Sequence, residues 1–147
     1  MSDNELLPGN PPTILVVDDE VEIRNLTAEA LYDFDYQVLL AASGEEALTL
    51  YGDRARVIDM VILDLNMPGM GGYQCLRELL AFDPGVRVLV ASGYSAPGQH
   101  AEVIAEGAAG FIGKPYLLGE LLAKVGEVLD SDRRKAVPAV ANRRVFL

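Results

Sequence analysis

Val61-Ile62-Leu63-Asp64-Leu65-Asn66-Met67-Pro68-Gly69 carries an apolar run into a carboxylate and then into a Pro/Gly turn. A run that is apolar at consecutive positions suits a strand covered on both faces. An acidic side chain at its end is poorly placed for packing and well placed for chemistry. The pattern recurs along the chain. Ile14-Leu15-Val16-Val17 runs into Asp18-Asp19-Glu20, Val86-Arg87-Val88-Leu89-Val90-Ala91 into Ser92-Gly93, and Phe111-Ile112-Gly113 into Lys114-Pro115. With these strands parallel in one sheet, three carboxylates, one ammonium and one hydroxyl converge at a single edge.

Segments of helical spacing separate the runs. Val21, Ile23, Leu26, Ala30, Leu31 and Phe34 predict a helix from Glu20 to about Asp35, and residues 37–42 a second strand. Ser43 followed by Glu46 reads as a capping box, and Gly52 is expected to end that helix near Tyr51. Residues 57–63 form the third strand, apolar except at Asp59, and residues 72–81 a helix stopped by Asp83-Pro84-Gly85. The fourth strand, 86–91, precedes a Gly/Ser/Pro loop at 92–98; a short helix at 99–106 and a strand at 109–112 follow. The last helix, 116–130, contains Gly119 and Gly126, each weakening it by about 1 kcal/mol relative to Ala. Strand and helix alternate five times with no hairpin signal, which predicts an α/β parallel sheet with helices on both faces. Sites in such sheets lie at the carboxyl ends of the strands, where the strand order reverses.

The chain has 147 residues, half of them hydrophobic, which suits one domain with a sizeable core. No apolar stretch approaches the ~20 residues of a membrane span, and the acidic start Met1-Ser2-Asp3-Asn4-Glu5 lacks the marks of a signal peptide. The expected setting is the cytoplasm. The single cysteine, Cys75, excludes an internal disulfide and reads as a small helix side chain. The net charge of −10 argues against direct nucleic-acid binding through the surface at large. Residues 1–12, rich in Pro and Gly, read as a flexible leader, 13–130 as the domain, and 131–147 as a basic tail. In that tail Arg133, Arg134, Lys135, Arg143 and Arg144 face one acid, Asp132. The tail is expected to be disordered, the alternative being that it docks on its own domain or a second copy. The 17 residues after position 130 are too few for a DNA-binding or enzymatic domain.

Each strand-end residue has a plain reading when taken alone. Asp18 and Asp19 suit a helix cap, Ser92 a turn, Phe111 a core and Lys114 a solvated loop; His100 reads as exposed and without a role. Taken together, Val17-Asp18-Asp19-Glu20, Leu63-Asp64-Leu65-Asn66-Met67-Pro68-Gly69, Ala91-Ser92-Gly93 and Lys114-Pro115 resemble the receiver domain of two-component response regulators, the chemotaxis-regulator-like family, over about residues 13–130.

The resemblance implies a flavodoxin-like (βα)5 fold with a five-stranded parallel sheet in the order 2-1-3-4-5. It implies a phosphoryl-accepting module rather than an enzyme, with Asp64 taking phosphate from a phosphohistidine. Asp19, Asp64 and the backbone carbonyl of Asn66 would ligate Mg²⁺, with Asp18 bound through water. Ser92 and Lys114 would contact phosphoryl oxygens, and Phe111 would turn inward as Ser92 moves. The Lys114–Pro115 bond would be cis. The partners implied are a histidine kinase or phosphotransfer protein, a downstream protein target, and a second copy meeting through the fourth and fifth helices.

The physics of the residues fits. Clustered carboxylates need a cation to stay ionised together, and hard oxygen donors with no Cys/His cluster suit Mg²⁺. The chain departs from the commonest receiver pattern at Ser92, where threonine is usual, and at Phe111, where tyrosine is usual. Tyr94 stands where a ring could shield the phosphate. Ser92-Gly93-Tyr94-Ser95 resembles receivers fused behind kinases, so a C-terminal piece of a hybrid sensor kinase is an alternative. A haloacid-dehalogenase-type phosphatase would want an acid where Asn66 stands. A flavodoxin would want a Ser/Thr/Gly-rich loop where Asp18-Asp19-Glu20 stands, and no Gly-rich P-loop is present.

Overall fold

Strands and helices alternate without exception along the described chain. The computed structural model describes residues 11–93 and 98–136, with the backbone alone described from 131 onward. The elements are β1 (Thr13–Val17), α1 (Val21–Asp33), β2 (Gln37–Ala41), α2 (Gly44–Arg54), β3 (Met60–Asp64), α3 (Gly72–Phe82), β4 (Val88–Ser92), α4 (Gln99–Glu106), β5 (Gly110–Gly113) and α5 (Leu118–Ala136). All strand pairs are parallel and the sheet order is β2-β1-β3-β4-β5, as expected.

The continuous apolar runs have the predicted cause, because both faces of the sheet are covered. Ile14, Val16, Met60, Ile62 and Leu89 pack on Leu31 of α1 and on Leu121, Val125, Val128 and Leu129 of α5. The alternate residues Leu15, Val17, Val61, Leu63, Val88 and Val90 pack on Ala47 and Tyr51 of α2, Cys75, Leu76 and Leu79 of α3, and Val103 of α4. Each leucine fully buried in this way contributes about 1.5–3 kcal/mol. Strands β1 and β3 are neighbours while their connections leave to opposite faces, which opens the crevice that holds the site.

Several boundaries differ from those read in the sequence. Helix α2 passes Gly52 and ends at Arg54, since a glycine stops a helix only where its backbone turns left-handed, and Gly52 does not. The Ser43 cap holds at the other end: Glu46 N donates to Ser43 Oγ at 3.1 Å, while the Glu46 carboxylate reaches one residue further back than in a capping box and accepts from Ala42 N at 2.7 Å. Strand β3 starts at Met60 rather than 57. Asp59 is occupied with the entry to β1, accepting from Thr13 N on its carboxylate and donating its own N–H to the Thr13 carbonyl, each at 2.8 Å. Strand β4 starts at Val88 rather than 86. Helix α5 starts at Leu118 and runs past residue 130 to Ala136, through the first part of the stretch read as tail; residues 137–147 lie outside the described residues.

The apolar stripe read along α1 is also only partly core. Thr27, Ala28, Ala30 and Leu31 are buried, whereas Val21, Leu26 and Phe34 are more than half exposed. Periodicity reports which residues share a face and not whether another element covers it.

Two glycines differ sharply in what surrounds them. A Cβ on Gly72 would stand 2.4 Å from Leu65 Cα and 2.6 Å from the Asp64 carbonyl oxygen, so the first turn of α3 lies directly on the loop leaving β3. A Cβ on Gly126 would meet nothing within 4 Å. Gly72→Ala is therefore expected to lower stability by at least ~2 kcal/mol through backbone displacement. Gly126→Ala should raise it by up to ~1 kcal/mol through helix propensity. Urea denaturation of both variants measures this; an unchanged midpoint for Gly72→Ala would contradict the close approach.

Candidate functional site

The register of the sheet brings the strand ends together. Val17 is paired with Leu63, Asp64 with Ala91, and Ser92 with Gly113. Asp18, Asp64, Ser92 and Lys114 therefore leave four adjacent strands at nearly the same height. One oxygen from each of Asp18, Asp19 and Asp64 lies within 4.8 Å of the others. Asp18 and Asp64 are buried and Asp19 is exposed at the lip. Lys114 Nζ stands 2.8 Å from Asp18 Oδ2 and 3.4 Å from Asp64 Oδ1. The Lys114–Pro115 bond is cis, as the resemblance implies. A cavity of ≈ 210 Å³ opens over this floor, lined by Asp19, Glu20, Asp64, Asn66, Gly93 and Lys114.

Backbone groups complete the arrangement. Glu20 N donates to Asp18 Oδ1 at 2.9 Å, and Asn66 N donates to Asp64 Oδ1 at 3.1 Å. Lys114 N donates to the Ser92 carbonyl at 2.8 Å, tying the end of β5 to that of β4. The carboxylates, Asn66, Ser92 and Lys114 read from the sequence are all brought together. Phe111 stands back from them, half-buried on β5 opposite Val90 and packed against the α2–α4 core.

Three sets of contacts were not read from the sequence. Asn66 Oδ1 accepts from both Ser92 Oγ and Gly93 N, each at 3.2 Å. A backbone N–H only donates, so this atom must be the amide oxygen, and the Ser92 hydroxyl then donates to it. Arg24 of α1 donates to the Asp18 carbonyl at 2.6 Å. His100, which reads as roleless in the sequence, stacks on Phe111 with ring centroids 4.8 Å apart and planes at 15°. The basic residue one turn after Asp18-Asp19-Glu20 was a usable signal for the second contact. The other two depend on side-chain directions that no spacing reports. Tyr94 lies outside the described residues.

Burial pushes the Asp64 carboxyl above the ordinary range, against the pull of the Asn66 N–H and the Lys114 ammonium; the Asp18 charge adds to the rise. Burial works to lower Lys114, but the hydrogen bond to Asp18 and the charge of Asp64 outweigh it and hold the ammonium above its usual value. The donors are hard carboxylate oxygens with open space above them, a set that fits a small divalent cation such as Mg²⁺.

The Asp64 shift has a consequence for stability. A carboxyl whose folded value is raised favours the fold most when protonated, below its unfolded value near pH ~3.9, and that contribution is lost as pH rises through the folded value. Ionised Asp64 thus opposes folding at neutral pH. Asp64→Asn is expected to be more stable than the wild type at pH 7 in EDTA, with the difference shrinking as pH falls toward ~4. Thermal unfolding across that range measures it; a variant less stable than the wild type at pH 7 would contradict the assigned burial cost.

Comparison with known proteins agrees with the geometry. Residues 14–126 match the model of the response regulator receiver domain. The chain is 36% identical over 118 residues to the sensor kinase CckA of Brucella abortus, covering 80% of this chain but 12% of that protein's length. It is 34% identical over 110 residues to the chemotaxis protein CheY of Listeria monocytogenes, covering 74% of this chain and 91% of that one. Among solved structures, the complex of CheX with CheY, BeF3 and Mg²⁺ from Borrelia burgdorferi superposes with a TM-score of 0.79 at 32% identity, covering 82% of this chain and 90% of that chain. Among the described residues, no helix is long and apolar enough to cross a membrane. The chain belongs to the response regulator receiver domain family, the phosphoacceptor module of two-component signalling.

Proposed function

We propose that Asp64 is the residue of this receiver that accepts phosphate. The observation that carries the reading is the set of Asp18, Asp19 and Asp64 oxygens within 4.8 Å of one another, with Lys114 bridging Asp18 and Asp64. An Asp64 carboxylate oxygen attacks the phosphorus of a phosphohistidine, the P–O bond forms, the P–N bond breaks, and the imidazole leaves. Such transfer needs placed positive charge more than covalent assistance. Lys114 provides one fixed charge, and the Asn66 N–H holds Asp64 in orientation. Mg²⁺, held by Asp19, Asp64 and the Asn66 carbonyl with Asp18 through water, would neutralise the charge gathering on the phosphoryl oxygens. Ser92 then leaves Asn66 for a phosphoryl oxygen, and Phe111 follows it inward.

The donor is a histidine kinase or a phosphotransfer protein. Beside Lys114 runs a groove of ≈ 370 Å³ lined by Ile23, Leu26 and Thr27 of α1 and by Pro115, Tyr116 and Leu118. Its apolar rim borders the acidic cavity, and its floor is held by the Thr27 and Tyr116 hydroxyls, bonded at 3.0 Å. In this reading a donor helix presenting a phosphohistidine lies in that groove, beside Asp64. The output is a protein-binding face on α4 and α5, for a downstream target or a second copy. The similarity to a sensor kinase over a small part of that protein favours one further reading, that this receiver is a segment of a hybrid kinase. Sequencing the gene on both sides of this segment decides it. The Asn66 side chain, spent on Ser92 and Gly93, stands where a haloacid-dehalogenase-type phosphatase needs its acid.

Acetyl phosphate with Mg²⁺ is expected to add one phosphoryl group, seen as a single mass increment, and Asp64→Asn should abolish it. Undiminished labelling of that variant would sink the assignment. Asp19→Ala is expected to weaken Mg²⁺ binding at least ~10-fold, equivalent to about 1.4 kcal/mol. Equal affinity, measured by calorimetry, would remove Asp19 from the metal site.

A further inference from the structure

His100 takes no part in the acidic site, yet it is the side chain laid against the switch residue. It sits exposed in the first turn of α4, its ring nearly parallel to that of Phe111 at 4.8 Å. Phe111 lies half-buried in a groove between α4 and α5 whose other walls include Ile104 and Val128. A phenylalanine carries no hydroxyl that could hold it at the surface by a hydrogen bond. Apolar packing and ring contact remain to hold it, and His100 supplies the ring contact.

We propose that His100 is a positioning residue that clamps Phe111 in its outward place and couples the receiver's switch to pH. The proposal rests on the reading above, in which Phe111 turns inward when Asp64 is phosphorylated. Imidazole is the side chain that takes up charge between pH 5 and 8. The face of an aromatic ring is the negative pole of its quadrupole, so an imidazolium is held there more firmly than a neutral imidazole. Protonation of His100 therefore holds Phe111 outward and opposes activation. The inward state gives up the stack and with it that attraction.

The charged groups around the stack come from two helices. Lys124, Glu127 and Asp130 of α5 line the same groove, and Lys124 pairs with Glu127 at 3.8 Å. From β5, Gly110 and Phe111 bring no charge. On α4 itself, Glu102 accepts a hydrogen bond from Tyr73 and Glu106 pairs with Arg77, so both are engaged with α3. Lys124 and Glu127 offset each other and Asp130 adds one negative charge, so the sign of the effect is drawn from the ring contact at 4.8 Å.

His100 is the one histidine in the sequence, so its imidazole resonances are unambiguous in untagged protein. Beryllofluoride with Mg²⁺ is the probe of the activated state, and the Phe111 ring resonances report its movement. Affinity for beryllofluoride is measured at pH 8 and pH 6 in the wild type, His100→Phe and His100→Ala. Between those pH values the wild type should lose about two- to fivefold more affinity than His100→Phe, which keeps a stacking ring but cannot titrate. His100→Ala, with neither ring nor charge, should bind most tightly at pH 6. The imidazole resonances at pH 6 should also move when beryllofluoride binds and the ring contact is lost. The same pH dependence in wild type and His100→Phe overturns the coupling. Phe111 resonances that move alike in all three proteins, with equal affinities, overturn the clamp while leaving the switch. A Phe111 that moves in none of them overturns switch and clamp together, while phosphorylation of Asp64 is judged separately by mass.

Discussion

Repulsion among three carboxylates is the interaction around which this molecule is arranged. Asp18, Asp19 and Asp64 bring oxygens within 4.8 Å of one another, and two of the three are buried. Such a cluster persists only with positive charge inside it. Lys114 is that charge, contacting Asp18 and Asp64 at once. Its position depends on β5, the edge strand, because Gly113 must lie level with Ser92 for the next residue to reach across β4 and β3 to Asp18. The outermost strand of the sheet thus makes the acidic centre tolerable.

The cost of the cluster is carried by the layers beneath it. The strands are apolar on both faces and meet helices on both, so the charged ends sit on a rigid base. Close approach at Gly72 fixes the loop that leaves β3, and with it the Asn66 N–H that orients Asp64. At the other end of the sheet the reciprocal bonds between Asp59 and Thr13 pin the entry of β1, so the register that aligns the carboxyl ends is held from both sides.

The same geometry provides a route from the acidic centre to the surface. Asn66 belongs to the loop after β3, yet its side-chain oxygen holds the Ser92–Gly93 corner of β4. Ser92 is linked through the Lys114 N–H to β5, the strand that carries Phe111, and Phe111 lies under His100 of α4. Each step is a direct contact between neighbouring elements. A change at Asp64 that draws Ser92 away from Asn66 has a short physical path to the groove between α4 and α5.

The alternation of apolar runs with helical segments, and the polar residue closing each run, determined the α/β class, the parallel sheet and the acidic, lysine-containing edge. Those features are periodic or terminal, so they survive in one dimension. Strand β1 and helix α4 fall where their patterns place them, and Asp18, Asp19, Asp64, Asn66, Ser92 and Lys114 meet as their positions at strand ends require. Only the tertiary structure decided which apolar faces are covered. Leu26 on α1 and Phe34 just after it follow helical spacing but face outward, because none of the described elements packs over them. Gly52 does not end α2, since a left-handed turn depends on what the following chain must reach and not on the glycine alone. His100 and Asn66 acquired their contacts from side-chain direction and from the approach of separate elements. Such contacts join residues through space, and spacing along the chain carries no record of them.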